Sequence, residues 1–114
     1  MINVLINGIN GRMGKEVLNQ VNLSTNFNAL CGVDKTCSND YSVPIYNNTG
    51  LIEIKPDIII DFSIPEATMN ILEYAKINSI PIVIATTGFS KEQLEKIDEY
   101  SSYIPIFKSR KHVL

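Results

Sequence analysis

An apolar run from Ile2 to Ile6, broken only by Asn3, leads straight into Gly8-Ile9-Asn10-Gly11-Arg12-Met13-Gly14. A helical pattern follows at once: Met13, Val17 and Val21 recur four apart with Leu18 beside them, which places them on one helix face. This order of strand, glycine turn and helix constrains the fold more than any other feature of the chain. Such a turn lets the backbone bend sharply, removes side chains where a pyrophosphate approaches, and seats that group at a helix N-terminus. The G-x-x-G-x-x-G spacing is a variant of the usual dinucleotide fingerprint. Three glycines alone are weak evidence, but their place between a strand and an amphipathic helix supplies the context the fingerprint demands. A purely structural glycine turn is the alternative. Arg12 either adds a charge near phosphate or stays solvated.

The rest of the chain repeats the alternation. Phe27 to Val33 reads as a second strand after the polar turn Asn22 to Asn26. Val43 to Tyr46 resembles a short strand, and Asn48 to Ile54 has room for one or two helical turns before Pro56. Asp57 to Phe62 contains three consecutive isoleucines, the pattern of a strand covered on both faces. Ser63, followed three residues later by Glu66, predicts a capping box, with Pro65 tolerated in the first helical turn. Ala67, Ile71, Tyr74 and Ala75 give that helix its buried face, and it ends near Asn78. Pro81 to Ala85 is another strand. Ser90 with Gln93 repeats the capping pattern ahead of a stripe of Leu94, Ile97 and Tyr100, and Ile104 to Phe107 makes a last strand. Short strands alternating with helices predict an α/β fold: a Rossmann-like, doubly wound, mostly parallel sheet with helices on both faces.

Composition narrows the function classes. With 114 residues, 45% of them hydrophobic and eighteen of them isoleucine, the chain suits one modest folded domain. A net charge of −2 and scattered aromatic residues supply neither a basic surface nor a stacking platform, so no nucleic-acid partner is expected. No apolar run approaches the roughly 20 residues that span a bilayer. No membrane partner is expected either, and with no basic leader at the N-terminus the expected location is cytoplasmic. Cys31 and Cys37 are too few and too closely placed for a disulfide framework or a four-ligand zinc site, and Cys31 reads as a small buried hydrophobe. His112, the sole histidine, stands near the chain end without a cysteine or carboxylate motif beside it. No catalytic acid, base or metal ligand is assigned, and Ser63 reads as a cap rather than a nucleophile.

Three further turns carry candidate chemistry. The second strand ends in Val33-Asp34-Lys35, where an acidic side chain can accept hydrogen bonds from the adenosine ribose hydroxyls. Lys35 can instead attract a ribose phosphate, which leaves NADH and NADPH both open; a charged pair capping a solvent turn is the plainer reading. Phe62, after the triple-isoleucine strand, is placed to line a cofactor groove, whereas Asp61 can equally hold its own turn. Thr86, Thr87 and Gly88 offer hydroxyl and backbone groups suited to orienting a nicotinamide, or else serve simple turn geometry.

Taken together, Gly8 to Gly14, Gly32-Val33-Asp34, Asp61-Phe62-Ser63-Ile64-Pro65-Glu66 and Ala85-Thr86-Thr87-Gly88-Phe89 resemble the N-terminal half of bacterial dihydrodipicolinate reductase, also called 4-hydroxy-tetrahydrodipicolinate reductase. The resemblance covers approximately Met1 to Ser109. Ala85 is commonly glycine in that family, a small-for-small difference. The resemblance implies an oxidoreductase of lysine and diaminopimelate biosynthesis that uses NADH or NADPH to reduce a cyclic dicarboxylate. It implies that Gly8, Gly11, Arg12, Met13 and Gly14 surround the diphosphate, that Asp34 contacts the adenosine ribose, and that Phe62, Thr86, Thr87 and Gly88 flank the nicotinamide.

In the family a substrate-binding domain follows, carrying the general acid and the carboxylate clamp and making the contacts of a homotetramer. The present sequence reads Arg110-Lys111-His112-Val113-Leu114 where the family continues with an Ala-Asn-like turn. The expectation is a dinucleotide-binding domain over residues 1–109, a divergent tail over 110–114 and no substrate domain. Such a chain, monomer or weak homo-oligomer, is expected to bind cofactor at most partially and to lack efficient turnover. Another Rossmann oxidoreductase, such as an amino-acid dehydrogenase, or a non-enzymatic nucleotide-binding domain is the alternative.

Overall fold

Alternate residues of a strand point to opposite faces of a sheet, so a strand covered on both sides needs apolar residues in consecutive positions. The first strand, β1 (Ile2–Asn7), shows this directly: Val4 and Ile6 enter one core while Leu5 enters the other. The computed structural model describes residues 1–36 and 43–108. Cys37 and the tail with His112 lie outside them.

The elements run β1, α1 (Arg12–Leu23), β2 (Phe27–Val33), β3 (Ile45–Tyr46), a single 3-10 turn (Thr49–Leu51), β4 (Ile58–Asp61), α2 (Pro65–Asn78), β5 (Ile82–Ile84), α3 (Lys91–Tyr100) and β6 (Ile106–Lys108). All strand pairs are parallel, in the order β3-β2-β1-β4-β5-β6. The chain therefore winds outward from β1 to β3, returns to pair β4 on the other side of β1, and winds outward again. That reversal is a topological switch point, the place where open α/β sheets hold ligands beyond the strand ends. The strand ends align there, with Asn7 opposite both Val33 and Asp61, and Asp61 opposite Ile84.

The two faces are unequally covered. On one, Ile71, Leu72 and Ala75 of α2 and Ile97 of α3 pack over Leu5, Cys31, Ile59, Ile82 and Ile84. On the other, α1 alone brings Leu18 and Val21 against Val4, Ile6 and Ile45. The triple isoleucine shows the consequence: Ile59, on the two-helix face, is fully buried, whereas Ile58 and Ile60 are only half-buried.

Local chemistry accounts for some element ends. Ser90 caps α3 reciprocally with Gln93: the Ser90 hydroxyl accepts from the Gln93 amide at 3.1 Å, and the Gln93 side chain accepts from the Ser90 amide at 2.8 Å. The Ser63 cap expected for α2 does not form. Ile64 occupies the N-cap position with Pro65 at the first helical position, and the Ser63 hydroxyl donates to Asp61 Oδ1 at 2.5 Å instead. A short bond to a buried carboxylate outcompetes a bond to an exposed helix end. The inner face of α1 takes only part of the apolar face read from the sequence. Gly14, Leu18 and Val21 are buried at i, i+4 and i+7, whereas Met13 is 50% exposed. Met13 lies one position, about 100°, off that stripe.

Replacing Ile59 by alanine removes a fully buried side chain at the centre of the sheet and is expected to cost about 3 kcal/mol. Urea denaturation of the purified chain measures it; a loss below about 1 kcal/mol would show that this core can collapse around the cavity.

Candidate functional site

The glycine turn is built by close backbone approach. Gly8 has φ of 84°, and a Cβ placed on it would stand 2.1 Å from the Phe62 carbonyl oxygen. A Cβ on Gly14 would stand 2.1 Å from the Gly8 carbonyl oxygen. These two glycines let the turn lie against the Phe62 segment and let α1 lie against the turn. Gly11 differs: its Cβ would meet only the Gly8 carbonyl oxygen, at 3.4 Å, an ordinary contact. The protein's own packing does not require glycine at this position.

Gly11 is also the N-cap of α1, where no side chain caps the helix and no acidic residue occupies the first turn. Compared with the fully capped α3, α1 presents an open, partially positive end. An absent side chain beside an uncapped helix terminus is a cradle for an anionic group.

A groove of about 740 Å³ opens at this point, within the range of small-molecule and cofactor sites. Gly8 and Gly11 form one wall, Asp34 and Lys35 the end of β2, and Phe62 the start of the segment leading to α2. Asp34 is half-buried. Its Oδ2 accepts from the Asn10 amide at 2.9 Å and its Oδ1 from the Lys35 amide at 2.8 Å, so it braces the glycine turn from the neighbouring strand. The Asn10 side chain adds a bond to the Thr36 carbonyl at 2.9 Å. Arg12 and Met13 begin α1 and are exposed, while Gly14 is buried behind them.

Thr86, Thr87 and Gly88 stand beyond β5, across β4 from the groove, and do not line it. Thr86 is buried, with its hydroxyl engaged by protein groups; Thr87 and Gly88 are exposed. The fully buried Asp61 carboxylate joins the two sides. Its Oδ1 accepts from Asn7 Nδ2 (2.9 Å) and Ser63 Oγ (2.5 Å), and its Oδ2 from Thr68 Oγ1 (2.6 Å) and Thr86 Oγ1 (2.9 Å).

Asn47, Asn48, Thr49 and Asn70 also line the groove and carry no site signal in the sequence, and Glu66, which the sequence marks only as a cap and as part of the family motif, lines it with them. Only the register of β3 beside β2 and the angle of α2 carry them there, so periodicity gave no signal. Asn7 and Asn10 did leave a faint one, as polar residues beside the apolar strand and within the glycine turn. Gly32 serves packing: a Cβ on it would lie 2.5 Å from Ile9 Cδ1, and Ile9 is fully buried beneath the turn. Cys31 is a core residue, its thiol pushed up to about 11 by burial. Among the described residues no group of three or more His, Cys, Asp or Glu gathers to hold a metal ion.

A parallel sheet wound in this order, with a glycine turn, an uncapped helix and a groove at its switch point, defines a Rossmann-type α/β domain of the dinucleotide-binding class. The family model described as "Dihydrodipicolinate reductase, N-terminus" matches residues 2–111. A 4-hydroxy-tetrahydrodipicolinate reductase of Clostridium novyi is 40% identical over 109 residues, covering 96% of this chain and 43% of that protein. Its counterpart in Caldanaerobacter subterraneus is 42% identical over 110 residues, with the same coverage of both chains. The chain belongs to the dihydrodipicolinate reductase family and spans less than half the length of these relatives.

Among solved structures, dipicolinate-bound dihydrodipicolinate reductase from Paenisporosarcina superposes with a TM-score of 0.73 at 28% identity, covering 89% of this chain and 43% of that one. Aspartate dehydrogenase from Thermotoga maritima gives a TM-score of 0.71 at 17% identity, covering 96% of this chain and 45% of that one, and shares the fold.

The unequal demands on the glycines are testable by stability. Gly14→Ala drives a methyl group into backbone and is expected to cost about 3 kcal/mol or abolish the cooperative transition. Gly11→Ala loses only N-cap preference, about 1 kcal/mol or less. Equal losses in urea melts would refute the distinction. For Cys31, alkylation by iodoacetamide at pH 8 followed by peptide mass spectrometry is expected to find the native thiol protected and the urea-unfolded thiol modified, since both burial and the raised pKa suppress the reactive thiolate. Rapid native labelling would place Cys31 at an accessible surface.

Proposed function

We propose that residues 1–109 form the NADH- or NADPH-binding domain of a 4-hydroxy-tetrahydrodipicolinate reductase, an enzyme reducing that cyclic dicarboxylate to tetrahydrodipicolinate in lysine and diaminopimelate biosynthesis. The observation that carries the reading is Gly11: a glycine that internal packing does not demand, at an uncapped helix N-terminus, on the wall of a groove at the switch point. Family membership gives that groove its cofactor class.

In this reading Gly8 and Gly11, with the first-turn amides of α1, receive the diphosphate, Gly14 lets α1 come up against the turn from behind, and exposed Arg12 and Met13 flank it. Asp34 receives the adenosine ribose hydroxyls, using acceptor capacity left after its two backbone bonds, because each carboxylate oxygen has more than one lone pair. Lys35, exposed beside it, offers a charge to a 2′-phosphate, so both cofactors are accommodated. Phe62, Thr87 and Gly88 stand at the nicotinamide end. Bound there, the dihydronicotinamide supplies the hydride. The chain's residues supply orientation.

We place proton donation and the cationic clamp for the substrate carboxylates outside residues 1–109. Turnover by this chain alone is accordingly expected to be negligible, and a homotetramer is assigned to the full-length enzyme. Among the described residues no helix is long and apolar enough to cross a membrane, and a cytoplasmic setting fits a small-molecule biosynthetic enzyme.

Calorimetric titration of the purified chain with NADH and NADPH in separate runs tests the reading. Binding of at least one is expected. Asp34→Ala is expected to weaken it about tenfold, through lost ribose bonds and a loosened Asn10 amide. A folded chain that binds neither cofactor overturns the proposal, and an Asp34→Ala chain with unchanged affinity removes Asp34 from the site.

A further inference from the structure

Backbone pairing between β4 and β5 ends with the Ala85 amide donating to the Asp61 carbonyl at 2.9 Å. Phe62 keeps one more bond on the other side, its amide donating to the Asn7 carbonyl of β1 at 3.0 Å. Beyond these points both segments leave the sheet: one from Ser63 leading to α2, the other as Thr86, Thr87 and Gly88 leading to α3. Turns past the last ladder bond have no backbone reason to keep a fixed relation to each other. One side chain spans them. The Thr86 hydroxyl donates its single proton to Asp61 Oδ2 at 2.9 Å and accepts the Ser63 amide at 2.8 Å.

Both hydrogen-bonding roles of that hydroxyl are thus used inside the protein, and Thr86 is only 6% exposed. Asp61 is anchored in turn to β1 through Asn7 and to α2 through Thr68. Neighbouring Thr87 and Gly88 are exposed, and a Cβ on Gly88 would meet no atom within 4 Å. The pair that can face a ligand is therefore held by a residue that cannot.

We propose that Thr86 is a positioning residue: its hydroxyl, shared between the Asp61 carboxylate and the Ser63 amide, locks the turn after β4 to the turn after β5. Phe62 and Thr87-Gly88 then present one fixed surface to the nicotinamide end of a dinucleotide. The inference rests on the dinucleotide reading and deepens it by assigning Thr86 to the support of the site rather than to contact with the ligand. The adenosine end, braced by Asp34 from β2, does not depend on this lock.

The test compares NADH with ADP-ribose, which lacks the nicotinamide ring, by calorimetry on the whole 114-residue chain. Thr86→Val keeps the shape and loses both bonds; Thr86→Ser keeps both. In the unaltered chain NADH is expected to bind more tightly than ADP-ribose. In Thr86→Val that preference is expected to fall about five- to tenfold, the effect of one to two lost hydrogen bonds, while ADP-ribose affinity stays within about twofold. Thr86→Ser is expected to restore it. Hydrogen exchange followed by NMR reads the lock without ligand: the Ser63 amide is expected to exchange about tenfold faster in Thr86→Val and at the original rate in Thr86→Ser.

A folded Thr86→Val chain with its preference intact overturns the inference and leaves the dinucleotide reading standing. Equal affinity of the unaltered chain for NADH and ADP-ribose does the same. Binding of neither by the unaltered chain overturns both. Should Thr86→Val lose its cooperative melt, Thr86→Ser decides: a retained preference with a protected Ser63 amide supports the lock, and a lost preference despite both bonds overturns it.

Discussion

Asp61 is fully buried at the end of a central strand, and four uncharged donors from β1, the segment after β4, α2 and the turn after β5 converge on its two oxygens. A buried carboxylate stripped of such donors costs several kcal/mol, because water can no longer solvate it. Each donor is therefore held to the place where it satisfies Asp61. Sheet pairing sets strand positions only up to their last ladder bond; Asp61 extends that order into the connections, where the candidate site lies. Among the described residues no buried side-chain nitrogen or oxygen lacks a partner, so the cluster is closed rather than half-made.

The glycine turn complements this device by subtraction. Gly8 and Gly14 permit backbone contacts that a single methyl group would block, and those contacts bring the start of α1 close to the Phe62 segment. Gly11 sits between them under no such pressure. One short turn thus contains two kinds of glycine, and the difference separates what the fold needs from what a ligand needs. Asp34 acts between these roles, since the oxygens offered to the groove also accept the Asn10 and Lys35 amides.

Much of this was legible in the residues. The consecutive apolar positions of β1 and β4, the glycine turn between strand and helix, and the Ser90-Gln93 cap each report a local rule, and each appears where that rule places it. Ser63 departs from its local motif for a physical reason. Its spacing to Glu66 satisfies a local motif, but Asp61, two residues back, offers a buried partner, and burial strengthens that bond. Met13 shows a related limit: a four-residue recurrence identifies an apolar face but not which of two adjacent stripes meets the sheet.

Periodicity, turn chemistry and capping act over a few residues, so the chain by itself determined the order and kind of its elements, the glycine turn with its acidic neighbour strand, and the family. What only the tertiary structure decided was which groups meet across long separations: the gathering of Asn7, Asp61 and Thr86, the entry of Asn47 to Thr49 and Asn70 into the groove, and the unequal covering of the two faces. Those contacts depend on the sheet reversing direction at β1 and on how the strands register there. Such geometry belongs to the assembled sheet, and no local stretch of sequence encodes it.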